Sequence, residues 1–303
     1  MRIALIGYGE VGRILAEDLR SRATLVAFDI QLAGAASPAS DSMRAHARRH
    51  RVALADSHAA AVRDAELVIS AVTASQAVAV AQACAAGLAR GAFFLDFNSA
   101  SPGAKIRAAE SVNAAGGRYV EGAVMTSLPP YRIKVPLLLG GPDGAALLPV
   151  LDELGFAARL SSARLGVASA TKMCRSVMIK GLEAMVIEAF TTARHYGVED
   201  AVIASLKETF PAIDWERQGA YFFQRVIEHG RRRSEEVREV AVTVREAGLQ
   251  PWSAAGTAER QAWIADLADA GVFGTRGTPG FARSADWRVE ADRILSQPKQ
   301  KES

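Results

Sequence analysis

Cysteine is nearly absent from these 303 residues: Cys84 and Cys174 stand far apart, outside any C-x-x-C pair or metal-ligand spacing. Two such residues build neither a disulfide framework nor a cysteine zinc site, and a reducing compartment is the simplest setting, so a cytoplasmic location is expected. A strong charge of one sign is missing too. The formal net charge is +3, and although arginines gather at 44–51 and 231–233, no aromatic residues are interleaved with them. Nucleic acid is therefore not an expected partner. No run of about 18 apolar residues is present to span a bilayer, so no membrane partner is expected. Strand-like residues begin at Arg2, so no cleavable leader is expected. His46 and His50 lie four apart, where a helix puts both on one face as zinc ligands are. With no carboxylate or cysteine beside them in sequence and arginines all around, they read as a solvated face, and no metal is expected.

What is present is an ordinary globular composition, 50% hydrophobic and 23% charged, in a chain long enough for about two domains. Up to about residue 160, short apolar runs alternate with amphipathic ones, the pattern of a parallel sheet with helical crossovers. "IALIG", "TLVAFDI", "AELVISAV", "FFLDFN", "RYVEGAVM" and "VPLLLGG" read as strands. Ser75 is placed to cap a helix starting near Gln76, and Ser101-Pro102 reads as an N-cap followed by proline at the first helical position. From Gly166 to about His195 apolar residues recur at helical spacing with no proline, which predicts one helix of nearly thirty residues closed by Gly197. Four more helices follow, in "DAVIASLKETF", "DWERQGAYFFQRVIEH", "SEEVREVAVTVREAG" and "TAERQAWIADLADA", before a polar tail from about Gln297. The expected fold is α/β, a Rossmann-type doubly wound parallel sheet over residues 1–163, followed by an all-helical domain over 164–303.

Between the first strand and first helix stands "GYGEVG": Gly7, Tyr8, Gly9, Glu10, Val11 and Gly12. In that context Gly7 permits the tight turn, Gly9 lets a pyrophosphate approach the backbone, and Gly12 lets the helix pack close, with the phosphates over the helix N-terminus. Asp29 ends the second strand 22 residues after Gly7, where a carboxylate accepts hydrogen bonds from adenosine ribose hydroxyls. Two like charges about 4 Å apart repel by about 4 kcal/mol at an effective dielectric constant of 20, so a 2′-phosphate facing Asp29 is disfavoured and NAD is expected over NADP. Arg44 and Arg48 are the nearby cations that would compensate.

"GVASATKMCRSVMIKGLEAMVIEAF" opens the long helix. With the glycine loop, "DFNSASP" at Asp96–Pro102, "YVEGAVM" at Tyr119–Met125 and Gly166 six residues before Lys172, it makes the chain resemble the β-hydroxyacid dehydrogenase family. That family includes 6-phosphogluconate and 3-hydroxyisobutyrate dehydrogenases, and the resemblance extends over almost the whole chain. It implies that Lys172 is the catalytic acid and base. The chemistry agrees, because oxidising an alcohol requires a group that takes the hydroxyl proton while hydride leaves. Such a lysine must be neutral, and burial with a neighbouring cation favours that form. Arg175, at i+3, is placed to supply the cation and to bind a carboxylate or phosphate. The resemblance further implies that Asn98 and Ser99 border the nicotinamide ribose and that Val72 and Thr73 line the cofactor.

Departures from the family fall in the substrate pocket it implies. Arg175 and Ser176 stand where the family has an Asn-Asn pair, and Met125, Thr126 and Ser127 where it has Ser-Gly-Gly. "HGRRRSEEVREVAVTVREAGLQP" resembles a branch of the family whose members place a basic group in the site, which makes Arg232 and Arg233 candidates for an anionic substrate. The apolar stretch "AYFFQRVI" reads as core or subunit contact, and relatives form dimers, so a homodimer is expected. The resulting expectation is an NAD-dependent oxidoreductase acting on a small anionic hydroxy acid, with decarboxylation as a further step. The alternatives are an imine reductase, whose members usually carry aspartate or tyrosine in place of Lys172, and a non-catalytic NAD(H)-binding redox sensor.

Overall fold

The apolar runs become strands of one eight-stranded sheet: β1 (Arg2–Ile6), β2 (Thr24–Phe28), β3 (Ala53–Leu54), β4 (Leu67–Ser70), β5 (Phe93–Asp96), β6 (Arg118–Val124), β7 (Leu137–Gly140) and β8 (Ala158–Ser162). The computed structural model describes residues 1–282 and 284–297. The strand order is β3-β2-β1-β4-β5-β6-β7-β8. Every pairing is parallel except β6 with β7, which is antiparallel. That exception corrects the expectation of a wholly parallel sheet. The segment joining β6 to β7 contains only a four-residue helix and a 3₁₀ turn, too little for the crossover that a parallel pair requires. Strands β3 and β8 were not foreseen, since β3 has two residues and β8 is largely exposed.

Helices α1 (Glu10–Leu19), α2 (Ile30–Ala33), α3 (Pro38–His50), α4 (His58–Val62), α5 (Ala77–Ala85), α6 (Pro102–Ala114), α7 (Leu128–Tyr131) and α8 (Gly144–Leu154) lie between the strands. Alternation along β1 sorts them to two faces. Ile3 and Leu5 join Leu15, Leu19, Met43 and Leu147 in one buried cluster, while Ala4 and Ile6 join Val62, Ala81, Ala108 and Val112 in the other. Ser101 caps α6, accepting from the Ala104 N–H at 3.3 Å with Pro102 behind it. Ser75 caps nothing: it lies inside a 3₁₀ turn over Ala74–Gln76 that leads into α5.

The rest is helical: α9 (Val167–Tyr196), α10 (Glu199–Thr209), α11 (Trp215–Glu246), α12 (Trp252–Asp269) and α13 (Trp287–Leu295). At 30 residues α9 is as long as expected, roughly 45 Å at 1.5 Å per residue. Two helices expected around "HGRRR" are one, the 32-residue α11. Gly230 does not break it. Glycine costs a helix interior about 1 kcal/mol, but here a Cβ would come 2.8 Å from the Gln261 carbonyl oxygen of α12, so close packing of the two helices requires it. Helix α13 was not foreseen, and its Trp287 packs with Phe190, Phe223 and Ile264 in a buried cluster. The expected polar tail lies, beyond Gln297, outside the described residues.

The chain divides into two compact units, Met1–Cys174 and the part from Arg175 onward. The division therefore falls inside α9 rather than near residue 163, because the first turns of α9 are held by β6, as described next. Among the described residues no helix is long and apolar enough to cross a membrane.

Candidate functional site

Gly7 follows β1 at φ 91°, a left-handed conformation that side chains rarely adopt. A Cβ there would lie 2.4 Å from the Ala71 carbonyl oxygen, and one on Gly12 would lie 2.1 Å from that of Gly7. Both glycines are thus demanded by the fold's own close approaches. Gly9 is different, for a Cβ there would meet nothing within 4 Å. It is also the N-cap of α1, and no side chain among the described residues caps that helix. The N–H groups of its first turn, at Glu10, Val11 and Gly12, point out of the positive end of the helix past a bare backbone. This arrangement suits a pyrophosphate.

Asp29 closes the loop from β2. Its Oδ2 accepts the Tyr8 N–H at 2.8 Å and its Oδ1 accepts the Gln31 N–H at 3.0 Å, capping α2. Each oxygen retains a second lone pair that fits a ribose hydroxyl. Tyr8 supports the loop rather than lining it: its N–H belongs to Asp29, its ring is fully buried, and its hydroxyl lies 3.0 Å from His46 Nδ1. Burial pushes the Tyr8 phenol up to about 12. Of the cations that would compensate a 2′-phosphate, Arg44 donates to the Leu32 carbonyl at 2.8 Å, and Arg48 is exposed.

The other cofactor candidates lie at the carboxyl ends of the strands, where open α/β sheets bind ligands. A Cβ added to Gly7 would come 3.0 Å from Val72 Cγ1. The Val72 N–H donates to Asn98 Oδ1 at 2.7 Å, and Asn98 Nδ2 donates to Ser70 Oγ at 3.0 Å. Asn98 is thereby committed to stapling the ends of β4 and β5, while Thr73 is exposed. Next to Asn98, the Ser99 hydroxyl accepts from Lys172 Nζ at 2.6 Å. Val72 is thus hydrogen-bonded to Asn98, Ser99 follows Asn98 in the chain and meets Lys172, and Gly7 follows β1 at the same end of the sheet, where the Ala71 N–H donates to the Ile6 carbonyl.

Beneath this rim is a buried polar network that the sequence reading had not assigned to the site. Asp96 Oδ1 accepts the Asn98 N–H at 2.8 Å and pairs with Lys105 Nζ at 2.9 Å; its Oδ2 accepts the Tyr119 hydroxyl at 2.7 Å. Lys105 Nζ also donates to the Asp96 carbonyl at 2.9 Å. A buried charge pair is tolerable when its remaining hydrogen-bonding positions are filled, as here. Burial, reinforced by Asp96, holds the Tyr119 phenol well above its ordinary value. A second missed residue is Glu121 of β6, fully buried. Its Oε1 accepts the Ala168 N–H at 3.0 Å and its Oε2 the Ser169 hydroxyl at 2.8 Å, so a carboxylate seats the N-terminus of α9 one turn before Lys172. Asp96 and Glu121 both lay in the motifs "DFNSASP" and "YVEGAVM", but the sequence does not show which way either points.

The substrate candidates are dispersed. Met125 packs against Ala123, Leu138 and Ala168, Thr126 is exposed and Ser127 half-buried. In the second unit Arg175 is exposed and Ser176 half-buried. Arg232 is exposed and paired with Glu236 at 2.5 Å. Arg233, expected to meet an anion, is only 3% exposed and forms an ion pair with buried Glu183, which satisfies its charge inside the helical unit. The "AYFFQRVI" stretch supplies core, with Phe222, Phe223, Val226 and Ile227 buried. The expectation that no carboxylate stands near His46 and His50 does not hold, because α1 brings Glu17 Oε1 to 3.0 Å from His46 Nε2.

Residues 2–132 match the family model for the NAD binding domain of 6-phosphogluconate dehydrogenase, and residues 193–264 match a domain of unknown function (DUF1932). A conserved hypothetical protein from Sinorhizobium meliloti 1021 is 34% identical, with 97% of this chain and 95% of that one covered and a TM-score of 0.75. A conserved protein of unknown function, reported to be structurally similar to 3-hydroxyacid dehydrogenases, is 26% identical over 88% of this chain and 99% of that one, with a TM-score of 0.68. The fold is also that of a 3-hydroxyisobutyrate dehydrogenase from Mycobacterium tuberculosis, at 16% identity, with 97% of this chain and 99% of that one covered and a TM-score of 0.71.

Proposed function

The chain belongs to the β-hydroxyacid dehydrogenase family, with a nicotinamide-binding domain at its N-terminus, and from that premise we propose that it is an NAD-dependent dehydrogenase of a small anionic hydroxy acid, with Lys172 as general acid and base. One observation carries the reading: Lys172 Nζ lies 2.6 Å from Ser99 Oγ, on the strand-end rim that continues through Asn98 and Val72 to the glycine loop.

Bound nicotinamide supplies a hydride acceptor. The neutral amine of Lys172 takes the substrate hydroxyl proton as the alcohol carbon becomes a carbonyl, and returns it in the reverse direction. Ser99 fixes where that amine points, since its hydroxyl accepts from an ammonium and donates to a neutral amine. Glu121 fixes the height of the helix that carries it. The bare backbone at Gly9 and the first turn of α1 would hold the pyrophosphate, and Asp29 would hold the adenosine ribose, favouring NAD over NADP. Exposed Arg175, on the same helix as Lys172, is the group best suited to the acid's carboxylate. With a 3-hydroxy acid, the 3-oxo product is set up to lose carbon dioxide, and the protonated amine would steady the developing charge on its carbonyl oxygen.

The reading extends to a homodimer. Met178, Ile179 and Met185 of α9 are 71%, 40% and 61% exposed, apolar surface that association would cover; sedimentation equilibrium at micromolar chain concentration checks it. The enzymatic reading is tested by following NADH formation over a panel of hydroxy acids and sugar acids. Lys172→Ala should slow turnover by about 10²- to 10⁴-fold while NADH still binds. Turnover unchanged in the variant overturns the assignment.

A further inference from the structure

Glu17 of α1 and His46 and His50 of α3 converge next to the glycine loop, with one ligand atom of each within 4.8 Å of the others. We propose that these three side chains form a binding site for a divalent d-block metal ion, zinc above all, seated between α1 and α3 and linked to the glycine loop through Tyr8. The site is independent of the dehydrogenase reading.

The donor set is the first reason. Two imidazoles and one carboxylate suit zinc and its neighbours and do not suit calcium or magnesium. His46 and His50 stand at i and i+4, and their rings stack with centroids 4.3 Å apart. His46 Nε2 and Glu17 Oε1 are 3.0 Å apart, close to the edge of about 3.3 Å in a tetrahedron with metal–ligand bonds of about 2.0–2.1 Å.

The second reason is how the outer atoms are held. Metal-binding histidines and carboxylates are usually oriented by hydrogen bonds on the side away from the ion. Glu17 Oε2 takes a hydrogen bond from Arg132 at 2.7 Å, and Arg132 also pairs with Asp18 at 2.8 Å, which balances its charge. His46 Nδ1 lies 3.0 Å from the Tyr8 hydroxyl. With both outer positions taken, Oε1 and Nε2 are turned inward together. The third reason is His50, whose Nδ1 is buried with no hydrogen-bond partner among the described residues. An unsatisfied buried nitrogen is costly, and an ion in the cluster gives the ring a partner.

Binding at His46 Nε2 requires the neutral ring's single proton to sit on Nδ1, so a proton held between Nε2 and Glu17 would move to Nδ1. His46 Nδ1–H would then donate to the Tyr8 hydroxyl, and the Tyr8 N–H already holds Asp29. The ion would therefore act as a clamp on the loop that receives the dinucleotide. Arg20 and Arg49, whose charges are felt at His50, oppose a cation and set a limit on affinity.

The test uses the full chain, stripped with a chelator and titrated with zinc chloride by calorimetry, with circular dichroism confirming that each variant is folded. The expected result is one zinc per chain, with saturable binding lost in His50→Ala and in Glu17→Gln. Tyr8→Phe should weaken binding about 10- to 100-fold, as loss of an outer hydrogen bond to a ligating histidine does. Cobalt(II) should give the visible band of a four-coordinate site in the wild type and not in His50→Ala. Absence of stoichiometric binding overturns the proposal, as does binding of equal affinity in the His46→Ala/His50→Ala variant, which would put the ion elsewhere.

Discussion

Gly140→Ala should show how firmly the lysine-bearing helix is seated. Gly140 of β7 stands directly across from Glu121 of β6 in the sheet register. A Cβ on it would come 2.1 Å from Glu121 Oε1 and 2.7 Å from its Cγ, far inside van der Waals contact. The added methyl must displace the carboxylate that accepts the Ala168 N–H and the Ser169 hydroxyl, and overpacking of this kind costs about 1–3 kcal/mol. At about 2–4 °C per kcal/mol for a unit of this size, the transition of the first unit should fall by about 2–12 °C. Glu121→Ala alone removes the charge-assisted acceptor, at about 1.5–3 kcal/mol, but also clears the space the new methyl needs. The two changes are therefore coupled: on the Glu121→Ala background Gly140→Ala should cost almost nothing. Scanning calorimetry on all four proteins measures this, resolving the transitions of the two units separately. An equal drop from Gly140→Ala in both backgrounds would refute the reasoning, because the carboxylate would then not be what the methyl strikes.

Asp29→Ala should raise the preference for NADPH over NADH in fluorescence titrations, since it removes the charge facing a 2′-phosphate; an unchanged ratio would show that Asp29 does not set the choice. Arg233→Met should destabilise the helical unit by less than the about 3–5 kcal/mol of a buried charge left wholly unpaired, because Arg225 Nε stays 3.5 Å from Glu183. The Arg233→Met/Glu183→Leu pair should recover most of that loss, and a variant altered only in substrate KM would return Arg233 to the site. For pH, the Arg288 hydrogen bond holds Glu216 below the ordinary carboxylate range, against burial and with help from Trp287 Nε1. Its contribution is complete above the ordinary value of about 4.3 and is lost as pH falls through the lower folded value. Glu216→Gln should therefore melt earlier than wild type at pH 7 and lose that disadvantage as pH falls from the ordinary carboxylate range through the lower folded value; a gap independent of pH contradicts the ion pair.

The local patterns in this chain carry much of its architecture, because they depend on neighbours in sequence. A glycine between an apolar run and an amphipathic one marks a strand turning into a helix, and both Gly7 and Gly12 proved sterically required. Ser101-Pro102 started α6 as capping chemistry dictates, whereas Ser75 failed because a 3₁₀ turn took up the backbone groups it would have capped. The reading of two helices at "HGRRR" failed for a non-local reason: only the approach of α12 explains why Gly230 is kept within a continuous α11.

The candidate site shows the same division. The glycine loop was legible from its place between a strand and a helix, and Lys172 and Ser99 were picked out through the family resemblance; the structure brings these two within 2.6 Å. The direction of each side chain was not legible. Asp96 turned inward to Lys105 and Tyr119, Glu121 reached α9, Arg233 buried itself on Glu183, and Glu17 came to two histidines 29 and 33 positions away along the chain. Periodicity determined the layers, and the glycine loop with Asp29 pointed to the first half's ligand class. Which charges meet, and which are buried satisfied rather than offered to a ligand, was decided only by tertiary packing, because burying a charge is tolerable only beside a partner and that partner is supplied by whichever distant element packs there.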